Sequence, residues 1–125
     1  MIARARLLDA LGAGPEAVLV LHVGGAHGDG AAARFRFAAR YERLPEWARR
    51  RVVIEPDETS FDLPDLLCLH QATGAPVVLD TLHHQVNNWS RIRLGEALGL
   101  ALATWPPGVR PKIHFSTQRT EIDWC

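Results

Sequence analysis

The sequence has little of what marks secreted, membrane-spanning or general polyanion-binding proteins. Its two cysteines, Cys68 and Cys125, lack the close spacing of a metal-binding pair, so a reducing compartment is the default expectation. No apolar run approaches the ~20 residues of a membrane span, and no apolar signal core follows the charged residues near Met1. We therefore predict a cytoplasmic protein with no membrane segment.

Charge of either sign is balanced, and lysine is nearly absent. Fourteen Lys and Arg residues oppose fourteen Asp and Glu residues, which gives a formal net charge of zero. This balance argues against a general polyanion-binding surface but is compatible with a local basic patch. With 125 residues, 47% of them hydrophobic, the chain is long enough for one globular domain, residues 1–125.

Four short apolar runs alternate with stretches of helical pattern. The runs are typical of buried parallel strands and span residues 17–23, 51–55, 77–80 and 111–116. Helices are expected over residues 2–12, from an Asp29 cap through Tyr41, from Asp62 to Gly74, and from a Ser90 cap to about Trp105. This order predicts an α/β fold with parallel strands and about four βα units, a partial TIM barrel. A complete small doubly wound domain is the alternative.

Each predicted strand ends in or beside a side chain that can bind a metal. The four tips carry His22, Glu55, Asp80 and His114, and His83 follows Asp80 by three residues. Because ligands bind at the carboxyl ends of parallel strands, these side chains are expected to face one cavity. Mixed imidazole and carboxylate ligands suit manganese, zinc or iron, and more than one ion. Two close ions favour phosphodiester cleavage.

Lys112, the single lysine, lies two residues before His114 and therefore on the same face of its strand. A lysine directed into a carboxylate-rich cavity is expected to contact a phosphate or to partner the metal site. Taken alone, Glu55 can be a helix cap or an ion-pair partner, and Asp80 can brace a loop. The metal hypothesis depends on the coincidence of four successive strand tips.

Several other notable residues have simpler structural interpretations. Cys68 lies among leucines and is expected to be a small core residue. His70 and His84 are expected to be hydrogen-bonded within the fold, and Trp89 and Trp105 to pack in the core or against helices. Residues 117–125 form a polar tail with no predicted element.

The strand-tip motifs resemble those of the UV damage endonucleases, over about residues 17–120. The motifs are Leu21-His22-Val23-Gly24-Gly25 with Gly28-Asp29, Val53-Ile54-Glu55-Pro56-Asp57, Pro76-Val77-Val78-Leu79-Asp80-Thr81-Leu82-His83-His84, Thr104-Trp105 and Pro111-Lys112-Ile113-His114-Phe115-Ser116. The resemblance implies a TIM-type barrel and a DNA repair enzyme that nicks UV-damaged double-stranded DNA on the 5′ side of photoproducts. It also implies divalent cations, often manganese, with zinc or magnesium as alternatives.

The resemblance also implies roles for individual residues. Its metal ligands correspond to His22, Glu55, Asp80, His83 and His114. Glu55 is then expected to bridge ions, and Lys112 to match a catalytic lysine beside them, while metal-activated hydroxide attacks the phosphodiester. Gly30 departs from the family pattern, which often has lysine there, and His27 occupies a position that is often aromatic.

The length of the chain leaves alternatives to an active nuclease. A full barrel is about 250 residues long, and half of one is expected to expose an edge strand on each side and an apolar interior. A complementary half-barrel or a homodimer is expected to cover these edge strands and this interior. The competing functions are a metal-dependent sugar isomerase or epimerase of the same barrel type, and a catalytically inactive truncated remnant.

Overall fold

The computed structural model describes residues 1–24, 28–57 and 59–116, so the predicted tail 117–125 lies outside the described residues. Within these ranges helices and strands alternate. Their order is α1 (Ile2–Ala10), β1 (Leu19–Leu21), α2 (Gly30–Glu42), α3 (Glu46–Arg49), β2 (Val52–Ile54), α4 (Leu63–Thr73), β3 (Leu79–Asp80), α5 (Thr81–Val86), α6 (Leu94–Leu102) and β4 (Ile113–His114). No helix among them is long and apolar enough to cross a membrane.

The strands are all parallel, and strand neighbours follow the order of the chain. β1 pairs with β2 so that Leu21 lies opposite Ile54. β3 pairs with β4 so that Asp80 lies opposite His114. A parallel bridge between Ile54 and Val77 joins the two pairs just before β3. The predicted α/β class with parallel strands is therefore confirmed.

The two longest helices begin where the sequence places capping residues. The Asp29 carboxylate accepts a hydrogen bond from the Ala32 amide at 3.0 Å and caps α2. Asp62 and Asp65 form a reciprocal capping box at the start of α4. Gly74 ends α4 with φ of +80°, a left-handed conformation that glycine adopts without steric cost.

The residues of the central strands alternate between two apolar clusters. Val52, Ile54, Val77 and Leu79 pack with α4 and α6 in the larger cluster. Val53 and Val78 point the other way and pack with Trp105. The expectation of an exposed apolar interior is therefore wrong for these two valines, which are fully buried.

The Thr104-Trp105 pair fixes the backbone at the entrance to β3. The Val77 amide donates to Thr104 Oγ1 at 2.8 Å, and Trp105 Nε1 donates to the Val77 carbonyl at 2.8 Å. Both polar groups of Val77 are thus satisfied by side chains although the residue is fully buried. The predicted structural role of Trp105 is confirmed, and its indole nitrogen adds a specific anchor.

Three local predictions are wrong. Ser90 does not cap the last helix, which begins after Arg93 and ends at Leu102, because Asn88 and His84 bond Ile92 and close residues 87–92 into a separate loop. Cys68 is exposed, since it falls on the outer side of α4. Trp89 is 85% exposed because it lies on that loop and not in a helix.

Candidate metal centre

The strand register brings the tips of all four strands to one edge of the sheet. His22 and Glu55 directly follow the paired residues Leu21 and Ile54, and the Glu55 amide donates to the Leu21 carbonyl at 3.0 Å. Asp80 and His114 are themselves paired across β3 and β4. Short parallel strands in register therefore gather these side chains, as the sequence predicts.

Glu55 lies at the centre of the group. Its carboxylate is 2.8 Å from His114 Nδ1, 3.5 Å from His22 Nε2 and 3.8 Å from His83 Nδ1. The Glu55 side chain is only 5% exposed, whereas those of His22 and His114 are 47% and 44% exposed. A buried carboxylate surrounded by three half-exposed or buried imidazoles is a strong candidate for a shared ligand.

Asp80 is held in place by donors from two elements. Its Oδ1 atom accepts from the Leu82 amide at 2.8 Å, the His83 amide at 3.0 Å and Ser116 Oγ at 2.9 Å. Burial alone would raise the pKa of Asp80, but these hydrogen bonds and the nearby His83 outweigh burial and lower the pKa. The carboxylate is therefore charged at neutral pH, as a metal ligand must be. Its contacts with the α5 amides also give it a structural use as a helix cap.

Three of the predicted ligands have donor atoms close enough for one cation. The ligand atoms of Glu55, Asp80 and His83 all lie within 4.8 Å of one another. His83 Nδ1 is 3.1 Å from the Pro56 carbonyl, which can only accept, so Nδ1 is the donor in this contact and the ring is held in one orientation. Two carboxylates and one oriented imidazole fit a divalent cation.

The other three predicted site residues, His22, His114 and Lys112, are not part of the group formed by Glu55, Asp80 and His83. His22 and His114 contact Glu55 but are not part of the group whose atoms lie within 4.8 Å. Lys112 is half-buried one residue before β4, and in the described ranges it takes part in no hydrogen bond or ion pair. Their roles as ligands and as catalytic lysine stay predictions.

The structure adds two residues that the sequence analysis did not single out. Ser116 bonds Asp80, and its backbone exchanges two hydrogen bonds with Thr81 Oγ1, at 2.9 and 3.1 Å. Ser116 is two residues after His114, and within the predicted strand 111–116 the two residues share a face, a signal that was available. Asn87 is buried and donates to the Asp57 carbonyl at 3.0 Å, and no sequence signal identified it.

The two remaining histidines have the structural roles expected of them. His70 Nδ1 is 2.8 Å from the Ala75 carbonyl beyond the end of α4. His84 is buried, and its Nε2 is 2.8 Å from the Ile92 carbonyl. Neither belongs to the metal-ligand group. His27 and Gly25 lie outside the described residues.

The fold and this edge define a class: a parallel α/β protein with carboxylate and imidazole side chains gathered at the carboxyl ends of its strands. A family model described as UV-endonuclease UvdE matches residues 1–124. The chain belongs to this family, which confirms the resemblance seen in its motifs.

Individual relatives agree with the family model. A UV DNA damage endonuclease of Bacillus velezensis is 32% identical over 116 residues, which are 92% of this chain and 36% of that protein. A UV DNA damage endonuclease of Clostridium perfringens is 32% identical over 113 residues, which are 89% of this chain and 27% of that protein. The crystal structure of SacUVDE matches with a TM-score of 0.86 and 34% identity, over 95% of this chain and 39% of that one. The chain therefore spans well under half the length of these relatives.

Proposed function

We propose that this chain carries the carboxyl-side, metal-binding part of a metal-dependent DNA repair endonuclease that nicks double-stranded DNA 5′ to UV photoproducts. The observation that carries the proposal is the grouping of Glu55, Asp80 and His83 within 4.8 Å. Membership of the UvdE family, together with relatives named UV DNA damage endonucleases, supports DNA as the substrate.

Glu55, Asp80 and His83 would hold one divalent cation, and Glu55 would share a second with His22 and His114. Manganese is our first choice, with zinc or magnesium as alternatives, because oxygen-rich mixed donor sets accept all three. When bound, the cations supply Lewis acidity toward a phosphodiester oxygen and toward a water molecule.

The chain's own residues orient the reaction. Three donors fix Asp80, and the Pro56 carbonyl fixes the ring of His83, so the ligands keep their arrangement before a cation arrives. Lys112 would contact a phosphate oxygen of the substrate strand, because its ammonium is the only lysine charge near these strand tips. Glu55 would supply a negative charge to both proposed cation sites.

We also propose that the four βα units form part of a TIM barrel that another segment completes. Among the described residues β1 pairs only with β2, and β4 only with β3, so each has one open edge. A cavity of about 540 Å³ runs along Val18, Leu19, Val20 and Leu21 of the β1 edge. A complementary half-barrel or a second copy of the chain would cover these edges. A cytoplasmic location follows for a DNA repair enzyme.

The test is nicking of irradiated and unirradiated supercoiled plasmid with manganese, alongside calorimetric titration of the chelator-treated chain. We expect the isolated chain to bind metal. Nicking that depends on both irradiation and metal, and that is lost in Asp80→Asn, is expected once the segment that covers the open strand edges is also present. Metal binding without nicking, even with that segment present, would identify the chain as an inactive remnant. Absence of metal binding would reject the proposed centre.

A sugar isomerase or epimerase built on the same barrel is the second candidate from the sequence. It predicts that a small polyol binds to the metal-loaded chain while irradiated duplex does not. A gel-shift assay with irradiated duplex, run beside a polyol titration, separates the two functions. No contact in the described residues favours the isomerase, so the endonuclease is the conclusion.

A further inference from the structure

The loop of residues 87–93, the Trp89 loop, presents an exposed aromatic ring among positive charges. Trp89 is 85% exposed, more than any other large hydrophobic residue of the described chain. Residues 85–93 contain Arg91 and Arg93 but no acidic residue, and both arginines are exposed. In a chain whose formal net charge is zero, this is a local basic segment with an aromatic residue at its centre.

The Trp89 loop is held in one conformation by side chains at its base. The Asn88 amide group donates to the Ile92 carbonyl at 2.8 Å, and Asn88 Oδ1 accepts from the Ile92 amide at 3.0 Å. His84 Nε2 lies 2.8 Å from the same carbonyl, and the Arg91 amide donates to the Asn88 carbonyl at 3.1 Å. The exposed ring of Trp89 is therefore carried by a closed, hydrogen-bonded base.

The base of the loop is tied to the segment that carries Glu55. Asn87 is buried and donates to the Asp57 carbonyl at 3.0 Å, and His83 contacts the Pro56 carbonyl at 3.1 Å. Asp57 is two residues after Glu55 along the chain. The Trp89 loop therefore belongs to the same edge of the sheet as the candidate metal centre.

Arg91 adopts a conformation that its side chain disfavours. Its φ of +53° is the only positive φ of a non-glycine residue in the described ranges. Glycine would fit the same backbone without cost. A strained side chain that is kept in place of glycine is typical of functional sites. The Arg91 amide bonds the Asn88 carbonyl in the loop base, but in the described ranges the Arg91 guanidinium forms no hydrogen bond or ion pair.

We propose that the Trp89 loop contacts duplex DNA beside the metal centre, with Trp89 stacking on a base that has left the helical stack and Arg91 contacting a backbone phosphate. Base stacking on aromatic rings and phosphate contacts from arginine are the two elements of nucleic-acid surfaces that lack base-edge readout. This inference rests on the proposed function, since it takes DNA as the substrate. Trp89 and Arg91 are assigned a binding role and no part in the chemistry.

The test measures fluorescence anisotropy of an irradiated duplex oligonucleotide with the full chain over a series of salt concentrations. We expect Trp89→Ala to weaken binding on the order of tenfold at every salt concentration. Arg91→Gly should also weaken binding. It should make the negative slope of log affinity against log salt shallower by about 0.9, which corresponds to the loss of one phosphate contact. Because glycine fits the backbone conformation of residue Arg91, the melting temperature of the Arg91→Gly variant should stay unchanged or rise.

Two control variants match the changes at the opposite end of the sheet. Arg110→Ala removes an exposed arginine before β4, and Leu11→Ala trims an exposed apolar residue beyond α1. Both should bind the duplex as the unaltered chain does. Metal binding, measured by calorimetry, should be equal in all four variants.

The outcomes separate the loop from the proposed function. Equal DNA affinity for Trp89→Ala, Arg91→Gly and the unaltered chain overturns the loop inference and leaves the metal centre and its substrate standing. Failure of the unaltered chain to bind duplex at any salt concentration overturns both. A changed oligomeric state in Trp89→Ala with unchanged DNA affinity assigns the ring to a protein contact and also overturns the inference.

Discussion

Glu55→Gln is the most direct perturbation of the candidate metal centre. Glutamine has nearly the shape of glutamate, and its Oε1 can still accept the 2.8 Å hydrogen bond from His114. The substitution therefore removes the negative charge and leaves the side-chain packing in place. Any loss of metal binding then reports the charge of Glu55.

The expected size of the effect follows from the crowding of the ligand atoms. The donor atoms of Glu55, Asp80 and His83 lie within 4.8 Å of one another, so Glu55 supplies one of two negative charges. A divalent cation attracts a carboxylate ligand by at least about 4 kcal/mol, the energy of two unit charges 4 Å apart at an effective dielectric constant near 20, and desolvation of both groups offsets part of this attraction. After the amide oxygen compensates in part, we expect a net loss of about 3 kcal/mol, or roughly 100-fold in affinity.

The assay is calorimetric titration of the chelator-treated chain with manganese, with thermal unfolding as the check on folding. Asp57→Asn is the matched control, because Asp57 is a carboxylate of the same segment that binds the Thr59, Ser60 and Phe61 amides. We expect the control to bind manganese normally. Equal affinities for Glu55→Gln, the control and the unaltered chain would refute the assignment of Glu55 as a ligand.

Three further predictions concern the site and its supports. His83→Ala should weaken manganese binding at the Glu55, Asp80 and His83 group about 100-fold, and His22→Ala should weaken it less than tenfold. The reason is that His83 belongs to this group and His22 does not. Equal losses of affinity in calorimetry would contradict this. Trp105→Phe leaves the buried Val77 carbonyl without its donor and should cost about 1–3 kcal/mol of unfolding free energy in urea titrations; a smaller loss than 0.5 kcal/mol would contradict it. Burial raises the pKa of Asp62 above 3.8 despite the hydrogen bond from the Asp65 amide, so folding favours the protonated carboxyl group. The free energy of unfolding should therefore fall as the pH rises from 3.8 through the folded pKa. Unfolding curves measured over this pH range should lose the fall in Asp62→Asn.

The sequence predicts the meeting of the strand tips better than it predicts the loops. Parallel strands place their carboxyl ends at one edge, so a ligand-type residue at each strand tip is enough to predict that Glu55, Asp80 and His114 meet. The caps of α2 and α4 were equally predictable, because Asp29 and Asp62 have the side chains that bind free amides at helix starts. In these cases local chemistry and the tertiary fold favour the same structure.

The errors arise where tertiary contacts outweigh a local pattern. Ser90 has the side chain of a helix cap, but hydrogen bonds from Asn88 and His84 close the backbone around it and delay the helix to Leu94. Trp89 was expected to be packed because tryptophan usually buries its ring. Cys68 was expected in the core, but the side of α4 on which it lies faces outward.

The spacing of ligands along the chain bears on which activities this chain can retain. Glu55 directly follows β2, Asp80 ends β3 and His83 lies in α5. The bridge between Ile54 and Val77 joins β2 to the segment just before β3. The arrangement of the three side chains is supported by hydrogen bonds within residues 55–116. Metal binding should therefore survive in the isolated chain. Under the proposed function, incision also needs the segment that covers the open edges of β1 and β4. Metal affinity and nicking are accordingly separate measurements, and only the second depends on the completing segment.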